Sequence, residues 1–289
     1  MSLSYIFREV LRPFYLLVGI FLVSISPMFT SVTGLQWPGL SAIREVVEKI
    51  LRPGSLIYTN PTSGVERDLF PIIFKPFWSS MSVMGIALIV SLASALLLSI
   101  LLKFASGKLY KGIISIASVF RTIPDIVYVL VSQMVLVWVY IQTGVKFAKF
   151  TGTGTEEALL VPGLVLSILP FIYFLKTILA MMKEEEGEPY VDLATSKGLH
   201  KLRVICVHML RNMLVRLAYQ SKFIISLMIS NLLIVEYLFN NFGMTVFLLN
   251  YTQPPVFFVT AILFFLPIYV CLKVIEWVLY LTTQQEVSL

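Results

Sequence analysis

The chain reads as an all-α membrane protein of six transmembrane helices, with both termini and one polar loop on the cytoplasmic side. Three observations predict this. Of its 289 residues 58% are hydrophobic and only 13% charged, with a mean hydropathy of +0.88, a balance foreign to soluble domains. Six apolar stretches, near residues 13–33, 77–102, 113–142, 158–182, 214–239 and 256–281, reach the roughly 20 residues needed to cross about 30 Å of hydrocarbon. With the N-terminus inside, 14 of the 22 Lys and Arg fall in inner segments, 7 in outer ones, and Lys273 within the last span. Basic residues accumulate on the cytoplasmic side in this way. The spans must be helical, because an open strand would leave backbone groups unpaired in lipid. The net charge of +6 is the ordinary inner-leaflet excess and requires no nucleic-acid partner.

In the first stretch, Arg8 and Arg12 precede an apolar run, and Ser24-Ile25-Ser26 has the small-x-small form of a cleavage site. Pro27 directly after it opposes cutting, so this stretch is expected to remain a span. In the outer segment, 34–77, Ser41 is placed to cap a helix with Ile43, Val46, Val47, Ile50 and Leu51 as its apolar stripe, stopped by Arg52-Pro53-Gly54. Such a helix lies along a membrane surface or packs across other spans. Pro61, Pro71 and Pro76 carry the chain back, and Trp78 is an interfacial anchor.

Ala87, Ser91, Ala95 and Ser99 recur every four residues in the second span, a seam for close helix packing. The third opens on Arg121-Thr-Ile-Pro124-Asp125, with Pro124 suited to a first helical turn and Asp125 expected to snorkel or pair with Arg121. The fifth carries Tyr219, Ser226, Ser230 and Tyr237 at helical spacing, with Gln220, Asn231 and Glu236 nearby. A polar stripe on a spanning helix must face protein or water. Tyr219, Ser226, Ser230, Asn231 and Glu236 are therefore candidates for a solute pathway, with interhelical hydrogen bonding as the alternative. Glu236 and Asn240-Asn241-Phe242-Gly243 belong at the outer mouth. In the sixth span Lys273 and Glu276, three apart, can neutralise each other.

The polar island between the fourth and fifth spans is the most informative segment. Pro189 suits the first position of a helix and Gly198 the left-handed residue that ends one. Beyond the glycine, Leu202, Ile205, Cys206, Met209 and Leu210 are spaced as one apolar face, while Lys201, Arg203, Arg211 and Asn212 fall elsewhere. Two amphipathic helical turns at a membrane surface, without a catalytic constellation, suit a docking element for a soluble motor. The run Lys183-Glu184-Glu185-Glu186 reads as a solvated helix approach, since consecutive carboxylates point in different directions.

Catalytic motifs are missing. Gly107-Lys108 lacks the glycine five positions earlier, where Leu102 stands, and Leu109 replaces the hydroxyl residue, so there is no phosphate-binding loop. His200 and His208 are not in a zinc-protease arrangement, and no Gly-x-Ser-x-Gly elbow occurs. Cys206 and Cys271 have no metal spacing around them. The chain is expected to be no enzyme and to bind no metal or cofactor.

Tyr190-Val191 through Ala194, Lys197-Gly198-Leu199, His208 and Arg211-Asn212 resemble the cytoplasmic loop of binding-protein-dependent ABC importer permeases of the dipeptide/oligopeptide/nickel subfamily. Arg121-Thr-Ile-Pro124, Leu160-Val-Pro162-Gly, Glu236, Phe239 and Gly243 add to the resemblance, which covers roughly residues 77–280. It implies a permease that pairs with a second homologous permease, two cytoplasmic ATPases carrying ATP and Mg, and an extracytoplasmic solute-binding protein, in the cytoplasmic membrane of a prokaryote. Residues 1–76 would be a first helix and outer segment, 77–281 a five-helix core with coupling loop 183–213, and 282–289 a cytoplasmic tail. By position, residues 188–197 would form the coupling helix, with Glu188, Tyr190, Asp192, Ala194, Lys197, Gly198 and Leu199 as its site residues and 199–212 as the return helix. The implied function is ATP-driven import of a small solute, peptides first. The alternatives are an ion-coupled secondary transporter and a non-transporting receptor or assembly subunit. Asp192 stands where the family has Arg, and Asn241-Phe242 where it has Pro-Gly.

Overall fold

The computed structural model describes residues 3–31, 34–60, 64–144, 151–152 and 157–283. Pro61, Lys146, Lys149 and most of the expected tail at 282–289 lie outside the described residues. The chain divides into two compact units, Met1–Ser79 with Phe242–Val270, and Ser80–Asn241 with Cys271–Leu289.

The first unit opens with α1 (Leu3–Ile25), which runs into a 3-10 turn, Ser26–Phe29, started by Pro27. Its apolar part, Pro13–Phe29, is shorter than the other candidate spans. A two-strand ladder, β1 (Thr30–Ser31) and β2 (Gly34–Leu35), follows, then α2 (Leu40–Ile50). Val46 of its expected stripe is buried, and the chain turns at Pro53. Ser41 is not the cap: Gly39 takes that position with φ 86°, a conformation a serine avoids, and Ser41 lies inside the first turn. β3 (Ile57–Thr59) and β4 (Glu66–Asp68) pair antiparallel, Tyr58 opposite Arg67. Tyr58 packs edge-on against Phe247 and Tyr251 at 5.7 and 4.7 Å between ring centroids, around a core that includes Leu69 and Ile73.

The remaining helices are α3 (Phe74–Leu102), α4 (Gly107–Thr122), α5 (Asp125–Thr143), α6 (Leu160–Leu166), α7 (Ile168–Glu185), α8 (Pro189–Ser196), α9 (Lys201–Arg203), α10 (Leu210–Leu238), α11 (Met244–Asn250) and α12 (Pro254–Thr283). Among the described residues four helices are long and apolar enough to cross a membrane: α3, α5, the stretch Lys201–Leu238 and Pro254–Trp277. The pair α6 and α7 makes a fifth if taken as one span bent by 42°. The protein is thus a multi-pass, mostly helical membrane protein.

Two expected spans are broken, each at proline. The stretch 113–142 is divided: Ile123, which precedes Pro124, is extended (φ −78°, ψ 132°), so α4 ends there, and α5 opens at Pro124-Asp125 as the sequence predicts for the third span. Proline's ring excludes its predecessor from helical geometry. At Ser167 the fourth stretch bends, three residues before Pro170, which cannot donate to the carbonyl of Leu166. The small-residue seam of α3 packs as expected: Ala87, Ser91, Ala95 and Ser99 are all fully buried. Helix α6 comes close to α3 as well, since a β-carbon on Gly163 would lie 2.7 Å from Ile86 Cγ2.

Helix α10 packs against α7, α6 and α5. Its buried face, Met213, Leu217, Ile224, Met228, Leu232 and Val235, meets Phe174, Leu175, Ile178 and Met182 of α7 in the core. Lys273 and Glu276 of α12 form the expected ion pair at 2.7 Å.

Candidate functional site

Helix α8 begins at Pro189, preceded by the extended Glu188, and closes in a two-bond glycine cap. Gly198 has φ +75°, its N–H reaches Thr195 O at 2.9 Å, and the Leu199 N–H reaches Ala194 O at 3.3 Å. This satisfies two of the carbonyls a helix end leaves open, and only a residue at ease in the left-handed region can hold the turn. His200 then starts the next helix, its Nδ1 accepting from the Leu202 N–H at 3.3 Å.

The inward face of α8 is Tyr190, Val191 and Ala194; the outward face carries Glu188, Asp192, Leu193, Lys197 and Gly198. Leu193 is 57% exposed, an apolar side chain among charged neighbours on a face turned from the core. Sequence reasoning passed over it; its signal was a leucine one position before the inward Ala194. Beyond Gly198 the buried residues are Val204, Ile205, Met209 and Met213, while Leu202 and Cys206 are exposed. The expected apolar face is therefore shifted. The cause is a π-helical turn over Val204–Met209, whose i→i+5 bonding moves later side chains around the axis relative to α-helical spacing.

The loop is tied to three spans by groups that the sequence reading had left solvated. Arg216 of α10 bonds Glu184 at 2.5 Å and also Glu185, and Glu185 accepts from the Tyr190 hydroxyl. Lys103 at the end of α3 pairs with Glu186 at 2.9 Å, while Lys201 donates to Lys103 O at 2.8 Å and lies over the Phe104 ring. The expected solvated run is therefore corrected: Glu184 and Glu185 converge on the one guanidinium of Arg216, Glu186 takes Lys103, and Glu185 is buried. Burial, and then the hydrogen bond to Glu185, push the Tyr190 phenol up to about 12.

The candidate pathway residues divide into two groups. Tyr219, Ser226, Ser230 and Tyr237 share one exposed face of α10, opposite its packed face. Asn231 lies beside it, lining a cavity of about 20 Å³ with Asp125 and Tyr128, space for a single water. Glu236 is fully buried and accepts from Ser80 Oγ, so it does not share that face. Asp125 does not pair with Arg121, whose guanidinium lies 5.0 Å over the Tyr173 ring, because the Pro124 break separates their turns.

The C-terminal end of α10 is closed by its two asparagines. Asn241 accepts from the Ala158 N–H at 3.1 Å and donates to Ala158 O, and Asn240 donates to Gly152 O at 3.1 Å. A β-carbon on Gly152 would lie 2.5 Å from Asn240 O, which admits glycine alone at that approach.

A bundle of apolar helices, with a polar helix–glycine–helix loop joined to three of them by ion pairs and backbone bonds, defines a polytopic membrane protein. The chain belongs to the family described as binding-protein-dependent transport system inner membrane component, which matches residues 95–279, well over half of its length. It is accordingly a multi-pass inner-membrane transport component. It is also similar to the dipeptide transport system permease protein DppB of Haemophilus influenzae, 30% identical over 84 residues. That stretch covers 29% of this chain and only 25% of the relative's length.

Proposed function

We propose that the chain is the permease subunit of an ATP-driven importer that moves small solutes of the peptide class across the cytoplasmic membrane. The observation that carries this reading is the α8–Gly198–α9 loop, which combines an outward face fit for docking with ties to α3, α7 and α10. In this reading α8 sits on a partner ATPase. Closure of the ATPases displaces the helix, and the Tyr190–Glu185–Arg216 and Lys201–Lys103–Glu186 contacts pass that displacement to the spans. Leu193 supplies the apolar anchor, and Glu188, Asp192 and Lys197 the charged rim. Rigid-body motion of packed helices is the ordinary response to such a push.

The full reading has six spans, with the bent α6–α7 pair as the fourth, α10 as the fifth, and α1 as the first. Both termini and the loop, 183–213, lie in the cytoplasm. Residues 1–76 form the entry unit with an extracytoplasmic segment, 77–281 the transport core and 282–289 a tail. The exposed stripe Tyr219–Ser226–Ser230 lines the pathway opposite a second homologous permease, with Asn231 and Glu236 stabilising it from behind. ATP and Mg are held by two partner ATPases, and this chain binds neither. A solute-binding protein delivers the cargo from outside. The dipeptide relative supports peptides as the cargo class.

The test is uptake of labelled di- and tripeptides into vesicles containing the chain and its co-purified partners. Uptake that requires ATP and survives collapse of the ion gradients is expected. Uptake that persists without ATP and disappears with the gradients would overturn the reading.

A further inference from the structure

At the loop-side end of the α10 stripe, one cavity gathers positive charge with no carboxylate against it. Its volume is about 390 Å³, and Arg121 of α4, Tyr173, Lys176 and Thr177 of α7, and Gln220 and Phe223 of α10 line it. Arg121 is stacked on Tyr173, and Lys176 Nζ donates to Ser118 Oγ at 2.9 Å. Among the described residues neither cation takes part in an ion pair. Asp125, four residues beyond Arg121, lies past the Pro124 break and lines a different cavity.

The depth of the cavity identifies its occupant. Counting from Leu238, where α10 ends, about 20 residues of helix cover the roughly 30 Å of hydrocarbon, which brings the other boundary to about residue 218. Gln220 therefore lies at the polar–apolar boundary on the side of the α8–α9 loop, and Phe223 just inside it. Two uncompensated cations at that level are costly and call for an anion. A guanidinium fork, an ammonium, a hydroxyl and an amide form a donor set for a tetrahedral oxyanion, and the Phe223 side is apolar. We propose that this cavity binds the phosphate of an anionic phospholipid from the adjoining leaflet, with Arg121 and Lys176 as its charged contacts. The site is at headgroup level and its wall turns apolar toward the acyl chains, which fits a lipid better than a soluble anion.

The experiment is a titration of the full chain, purified with its native partners in mild detergent, with phosphatidylglycerol or phosphatidylcholine and native mass spectrometry as the readout. Phosphatidylglycerol should bind at least about tenfold tighter. The double variant Arg121→Gln/Lys176→Gln should lose that preference, while Lys111→Gln on the exposed side of α4 should keep it. Equal binding of the two lipids by the unaltered chain, or an unchanged preference in a folded double variant, would overturn the proposal. So would displacement of the lipid by inorganic phosphate, which would make this a soluble-anion site, or by a dipeptide, which would make it a solute site. Should the double variant fail to fold, as judged by circular dichroism, the lipid comparison and the two competitions on the unaltered chain still decide.

Discussion

The two ends of α10 are held by polar contacts of opposite character. At its start, Arg216, 39% exposed, meets Glu184, 66% exposed, in contact with water, and also the buried Glu185. At its far end Glu236 and Asn241 are sealed, 0% and 2% exposed, and bonded to Ser80 and to both backbone groups of Ala158. The exposed Arg216–Glu184 pair contributes about 0–1 kcal/mol and can be broken and remade at little cost. Buried polar groups cost about 1–3 kcal/mol each when left unsatisfied, so the sealed end has a single good arrangement. One helix thus carries a sealed end and a partly solvated end, and the solvated end is the one joined to the α8–α9 loop.

The largest effect on stability is expected at the sealed end. Asn241→Ala orphans a buried N–H and a buried carbonyl and should lower stability by about 2–4 kcal/mol, seen as a fall in the thermal unfolding midpoint in detergent. A midpoint unchanged by this substitution would break the contrast. Arg216→Ala should cost about 1–2 kcal/mol in the same assay, because the buried Glu185 loses its cation but keeps the Tyr190 hydroxyl, and it should reduce solute-stimulated ATP hydrolysis, because it unties the loop from α10. Salt sharpens the point: raising it from 0.1 to 1 M shortens the screening length from about 10 to about 3 Å. Coupling through Arg216 should weaken, while the Asn241 contribution should not respond.

Tyr190→Phe should have the smallest effect, about 0.5–1.5 kcal/mol from one hydroxyl bond. Its signature is in pH. The folded value of Tyr190, about 12, lies above the ordinary 10.0, so its contribution is fully present below pH 10 and is lost as pH rises through about 12. In an ultraviolet titration of tyrosinate, Tyr190→Phe should remove one late-titrating tyrosine. If the late component does not fall by one tyrosine, the raised value of Tyr190 is wrongly assigned.

Much of this was legible in the sequence, for identifiable reasons. Apolar length marked where most spans lie, since each span must satisfy its own backbone in lipid. Pro189 and Gly198 announced the bounds of α8, because each residue has a backbone preference that few others share. Pro124 marked the opening of the third span, where α5 begins, whereas Pro170 was passed over because apolar composition alone joined the stretch that bends before it. The π turn at Val204–Met209 was not legible, since periodicity reasoning assumes α-helical winding, and so Cys206 was placed on the wrong face. The Glu184–Glu185–Arg216 and Lys103–Glu186 pairs were missed because they join residues 31 or more positions apart or on different helices. Only packing brings those partners together.

The central claim, that the Gly198 turn aims α8 at a motor subunit, is tested most directly by ATPase retention across two variants of the full chain purified from native membranes. Asn tolerates the left-handed region, whereas a β-branched side chain there costs at least about 1–2 kcal/mol. Gly198→Asn should keep its ATPase subunits and its solute-stimulated hydrolysis, while Gly198→Val, still inserted in the membrane, should lose both. Full retention and hydrolysis in Gly198→Val, or an unaltered chain that carries no ATPase subunit at all, would contradict the account.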